Sequence, residues 1–132
     1  RGDDNYKIIS AEDEEGYAML PKHFHEALGF INQARESGGR CLIHCMAGIN
    51  RSGVIAIAAL MVSERLDVLE AVRRGKAARG IILTNHSFQA QLVELARQHE
   101  LLGPLPEPEM AAPVAPSKEA RKPAKEALKG LF

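Results

Sequence analysis

An α/β domain is the fold class that this 132-residue sequence predicts. Three observations predict it. Two short apolar runs, at residues 6–12 and 41–45, read as strands. A helical apolar period separates them, and further helical periods follow the second run. The length suits one ordinary globular domain.

The elements follow in order. Tyr6-Lys7-Ile8-Ile9-Ser10-Ala11-Glu12 reads as a short strand, and the acidic run Glu12-Asp13-Glu14-Glu15-Gly16 as a loop. Pro21 opens a helix in which Phe24, Ala27, Leu28, Ile31 and Ala34 share a face, and Gly38-Gly39 stops it. Arg40-Cys41-Leu42-Ile43-His44-Cys45 is short, apolar and preceded by a double glycine, so it is expected as a buried strand. Met46 to Asn50 forms a loop around Gly48. Arg51 to Glu64 is apolar nearly all round, which predicts a buried helix. Asp67 caps a further helix to about Gly75, with Val68, Leu69 and Val72 inward. Ile81-Ile82-Leu83 is an apolar link. Thr84 or Asn85 caps a last helix that places Phe88, Leu92, Leu95 and Leu102 inward and ends at Gly103-Pro104. Six of the seven prolines lie between Pro104 and Pro123, among Ala, Glu and Lys. The domain is therefore expected over residues 1–103, and an extended or disordered tail over 104–132.

Composition narrows the function classes. Lys+Arg and Asp+Glu are both 17, so the formal charge is zero and there is no global pull toward nucleic acid. The longest nearly unbroken apolar stretch runs from Gly53 to Val62, short of the roughly 20 residues a membrane span needs. The first residues, Arg1-Gly2-Asp3-Asp4-Asn5, lack the apolar core of a signal peptide. Cys41 and Cys45, if on one strand, sit ~13 Å apart at about 3.3 Å per residue. A disulfide needs less than about 7 Å. Two unbonded cysteines fit a reducing cytosolic or nuclear setting. Cys41 reads as a small inert hydrophobe. His23 and His25 face different sides of a helix, so no zinc site is expected.

The chemistry concentrates in His44-Cys45-Met46-Ala47-Gly48-Ile49-Asn50-Arg51-Ser52-Gly53. A cysteine ends a strand, a loop with a central glycine follows, and an arginine and a serine open a long buried helix. A helix N-terminus carries free N–H groups and partial positive charge, and loop amides converging above it make an anion nest. Arg51 adds a planar fork suited to two phosphate oxygens. The same field favours a thiolate, so Cys45 is expected to ionise well below ~8.5 and to act as a nucleophile. Departure of an alkoxide or phenoxide needs a general acid. Chemistry alone does not choose it from Glu12, Asp13, Glu14 and Glu15.

This H-C-x5-R-S grammar resembles the signature of the protein tyrosine phosphatase superfamily, and the text from Gly39 to Ser52 resembles its dual-specificity branch. The resemblance covers about residues 6–102 and implies a central, mostly parallel sheet flanked by helices. It also implies roles. Cys45 attacks phosphorus and forms a cysteinyl-phosphate. The amides of Met46, Ala47, Gly48, Ile49, Asn50 and Arg51, with the Arg51 guanidinium, hold the non-bridging oxygens. Ser52 bonds the thiolate, His44 orients the loop, Asn85 braces it, and Asp13 is the acid, one helix upstream of the cysteine. No metal or other cofactor is required. Relatives carry further strands and a helix before the segment matching 6–12, where only five residues stand here. The sheet is therefore expected to lack its usual N-terminal strands and to offer an edge for self-association.

The leading expectation is a protein phosphatase acting on phosphotyrosine and on phosphoserine or phosphothreonine in protein substrates, with no nucleic-acid or membrane partner. A lipid or RNA phosphatase of the same superfamily is a second enzyme reading. The uncharged Met46, Ala47, Ile49 and Asn50 speak against its polyphosphorylated substrates. A catalytically impaired phosphopeptide-binding module is a third reading. Retention of Cys45, Arg51, Ser52 and Asp13 together weighs against it.

Overall fold

The apolar stretch after Arg51 becomes the axis of the molecule. In a computed structural model, which describes residues 6–104, it forms the helix α2, Arg51–Glu64. α2 packs against α1 (Met19–Glu36), α3 (Val68–Ala78) and α4 (His86–Gln98), and α4 also touches α1 and α3. A helix with apolar residues on every side needs neighbours on every side. Val54, Ile57, Ala58 and Met61 are accordingly closed off from solvent, and Phe24, Val72, Phe88 and Leu92 from the other three helices meet them in one core. None of the described helices is long and apolar enough to cross a membrane.

α3 and α4 begin with side-chain caps, and α1 begins by another device. Asp67 caps α3 as expected, accepting from the Glu70 amide at 2.9 Å. Asn85 rather than Thr84 caps α4, accepting from the Phe88 amide at 3.1 Å. α1 starts at Met19, two positions before the expected Pro21, and Ala18 offers no side-chain cap. One amide of its first turn is satisfied from across the fold: the Leu20 amide donates to Gln91 Oε1 at 2.9 Å, and Gln91 Nε2 donates back to the Tyr17 carbonyl at 2.6 Å. Pro21 still fits, because the first turn needs no N–H there.

The last helix ends earlier than expected. α4 stops at Gln98, and Glu100 turns the chain with φ 58°. The turn docks Leu101, not Leu102, as the buried residue. The Leu101 amide returns to the Ala96 carbonyl at 2.7 Å, and its carbonyl accepts the first amide of α3, Val68, at 2.8 Å. The tail expected from 104 onward lies, apart from Pro104, outside the described residues.

The expected central sheet is not formed: the described residues contain four helices and no strand. Segments 6–12 and 41–45 run without regular structure, and among the described residues no backbone hydrogen bond joins one to the other. Both instead line an open cavity of about 770 Å³. A strand is completed only by a neighbour's N–H and C=O groups, and among the described residues these two runs share no such bond. The 41–45 run is also not buried. Exposure alternates along it: Leu42 is 85% exposed, while Cys41, Ile43 and Cys45 are partly covered. Period two without a ladder means that only one face has a partner.

Candidate active site

Cys45 stands where the irregular run meets the loop before α2, and the helix start supplies its surroundings. The Ser52 amide donates to Cys45 Sγ at 3.4 Å, and the Ser52 hydroxyl lies 3.3 Å from the sulfur. Burial pushes the thiol up, but hydrogen bonds from the Ser52 hydroxyl and from the amides of Ser52, Gly48 and Ile49 outweigh it. The group is drawn down to about 7. Cys45 and Cys41 are both free thiols.

The loop that aims these amides is shaped from both sides. Gly48 takes φ +68°, a conformation that disfavours a side chain, and a Cβ there would meet the Arg79 guanidinium at 3.0 Å. The Leu83 amide donates to the Ile49 carbonyl at 2.9 Å, fixing the loop to the link before α4. Gly53 lets that link press close: a Cβ on it would stand 2.7 Å from Ile82 Cγ1. The expected phosphate-loop residues are thus unequal. Gly48, Ile49 and Ser52 present amides to the sulfur, Met46 is 95% exposed at the rim, and Ala47 is exposed beside it.

Arg51 opens α2 with a divided guanidinium. Nη1 donates to the Ala11 carbonyl at 3.1 Å, while Nε is buried with no hydrogen-bond partner among the described residues. An unmet buried donor costs roughly 1–3 kcal/mol, more when charged. An oxyanion above Cys45 is the kind of group that would relieve it.

The acidic loop is tied down at three points. Ala11 holds Arg51, as above. Asp13 accepts from Asn50 Nδ2 at its Oδ2 and from Asn85 Nδ2 at its Oδ1, both at 3.0 Å. Glu15 accepts from the amides of His86 and Ser87, at 2.9 and 3.0 Å, at the positive end of α4. Of the four carboxylates left open by chemistry, Asp13 is the one bound to both the loop before α2 and the cap of α4. Asn85 reaches the phosphate-type loop through its backbone amide, which donates to Asn50 Oδ1 at 2.8 Å; its side chain serves Asp13 and the helix cap. His44, expected to orient the loop, is exposed. The role of Glu15 was not readable in sequence. An acid near a helix start is a general signal, but its partners lie 71 and 72 residues away.

A thiol drawn toward ionisation at a helix N-terminus, six residues before an arginine whose Nε is buried without a partner among the described residues, is an arrangement suited to an oxyanion. The family comparison agrees. Residues 1–98 match the family described as dual specificity phosphatase, catalytic domain, and the chain belongs to it. Dual specificity protein phosphatase 2 of Homo sapiens is 44% identical over 93 residues, 70% of this chain and 29% of that protein. Dual specificity protein phosphatase 5 of Rattus norvegicus is 37% identical over 105 residues, 80% of this chain and 27% of that protein. Among solved structures, DUSP15 aligns with a TM-score of 0.57 at 35% identity, over 70% of this chain and 62% of that chain. The chain spans less than a third of the length of these curated relatives.

Proposed function

We propose that the chain hydrolyses phosphate monoesters of phosphoproteins, phosphotyrosine together with phosphoserine or phosphothreonine, through a cysteinyl-phosphate. The single observation that carries the reading is the seat of Cys45 Sγ at the start of α2, 3.4 Å from the Ser52 amide that donates to it and 3.3 Å from the Ser52 hydroxyl, hydrogen bonding that favours the thiolate. Near neutral pH a large share of such a thiol is already thiolate, the form that attacks.

In the first step Cys45 Sγ bonds to phosphorus and the bond to the leaving oxygen breaks. Asp13 gives that oxygen its proton. The amides of the 46–51 loop and the Arg51 guanidinium hold the three non-bridging oxygens, with Arg51 Nε gaining a partner. Charge placed in advance where it develops is the largest single contribution in such sites. In the second step water attacks phosphorus, Asp13 takes its proton, and the S–P bond breaks. Ser52 stabilises the departing thiolate, and inorganic phosphate leaves. The uncharged side chains of Met46, Ala47, Ile49 and Asn50 suit a single phosphoryl group.

The test is hydrolysis of a small aryl phosphate by the chain and by Cys45→Ser. Turnover by the first alone, abolished by orthovanadate, is expected. Equal turnover by both removes the cysteine mechanism. Turnover by neither, with phosphopeptide binding retained, moves the reading to a binding module.

A further inference from the structure

Asn50 occupies the N-cap position of α2 but makes no side-chain cap. Its amide is spent on two other segments. Nδ2 donates to Asp13 Oδ2 at 3.0 Å, while Oδ1 accepts from the Asn85 amide at 2.8 Å and from the Thr84 hydroxyl at 3.3 Å. The backbone donor fixes which way the amide faces, since only oxygen can accept there. Asn85 is oriented by the same logic: its Oδ1 accepts from the Phe88 amide, so its Nδ2 faces Asp13 Oδ1. The Asp13 carboxyl therefore sits in a fork of two amides, one from the loop that surrounds Cys45 and one from the cap of α4.

Asp13 is otherwise solvent-exposed. Free of the fork, its side chain would sample several rotamers. Asn50 immediately precedes Arg51 in the chain, so the fork references the carboxyl to the same loop that holds the oxyanion. We propose that Asn50 is a positioning residue that aims the Asp13 carboxyl at the leaving oxygen; the role rests on the phosphatase reading above. The residue type matters. A serine at this position has one oxygen for both tasks and less reach. An aspartate would present oxygen to oxygen and repel the acid.

Two substrates separate aiming from building the cup. Phenyl phosphate has a poor leaving group and needs the acid; 2,4-dinitrophenyl phosphate departs without a proton. General-acid help is worth roughly 10²–10⁴-fold, and a misplacement near 1 Å forfeits about 10²-fold. For Asn50→Ala the expected result is a fall in kcat/KM of about 10- to 100-fold on phenyl phosphate, carried by kcat, and a clearly smaller fall in kcat/KM on the dinitrophenyl ester, whose departure needs no proton. An equal loss on both substrates, or a rise in KM without loss of kcat, overturns the proposal and makes Asn50 part of the cup. Unchanged rates on both also overturn it. A parent chain that turns over neither ester defeats the phosphatase reading itself and this role with it. Side-chain amide resonances report the fork independently. Those of Asn50 and Asn85 are expected to shift in Asp13→Ala and not in Glu14→Ala; no shift in the former removes the fork.

Discussion

The two flanks of α2 were built under opposite rules. On one side, α1, α3 and α4 close a core in which Phe24, Val72, Phe88 and Leu92 are all but inaccessible to solvent. On the other, segments 6–12 and 41–45 border an open cavity and leave Ile8 78% and Leu42 85% exposed. The contrast is one of hydrogen-bond supply. A helix satisfies its amides from its own chain, so each of the four forms wherever its apolar face is covered. A strand borrows every bond from a neighbour, so an apolar run with no neighbour stays irregular however strandlike its residues are.

The sharpest way to break this comparison is to damage the closed side. Phe88→Ala removes a fully buried ring from α4 and is expected to cost about 3–5 kcal/mol in chemical denaturation. Next comes the seam between the core and the loop around Cys45. Gly53→Ala places a methyl 2.7 Å from Ile82 Cγ1 and is expected to destabilise by about 1–3 kcal/mol while displacing the link that braces Ile49. Loss of vanadate affinity beyond the loss of stability would show that the seam shapes the site.

How much could be read in advance divides along the same line. α2 was legible to both ends, Arg51 and Glu64, because its pattern is local and unbroken. The cap Asp67 was legible, and the cap of α4 was narrowed to Thr84 or Asn85, because a cap acts three residues away. The strands were not, since pairing depends on a partner the run itself does not name. Cys45, Arg51 and Ser52 stood out because their motif is contiguous. The fork around Asp13 did not, because Asn50 and Asn85 lie 37 and 72 residues from it. Leu101 in place of Leu102 was missed for a related reason: one left-handed residue, Glu100, shifts the register of everything after it.

Smaller effects sharpen the picture. Alkylation of Cys45 by iodoacetamide is expected to speed up as pH rises through about 7, because the thiolate is the reactive form. Ser52→Ala removes one of the donors that lower it. The midpoint is expected to move upward toward the ~8.5 of a free thiol, without reaching it while the amides remain. A midpoint unmoved by that change would take the hydroxyl out of the thiolate's support. Smallest of all, Leu42→Ala on the open side is expected to stay within about 0.5 kcal/mol of the parent chain, as exposed positions usually do. A cost like that of Phe88→Ala would mean that the open flank is covered in solution.

The three ties of the acidic loop carry a kinetic consequence. They join residues 11, 13 and 15 to partners between 37 and 72 positions away, across helices that must first find one another. Closing loops of that length costs entropy that no local contact returns. The Asp13 loop is therefore expected to seat after the helical core has condensed and to be among the first parts to lift away when the fold breathes. Catalytic competence should lag behind the recovery of helical signal on refolding, and deuterium should enter the His86 and Ser87 amides sooner than those in the middle of α2.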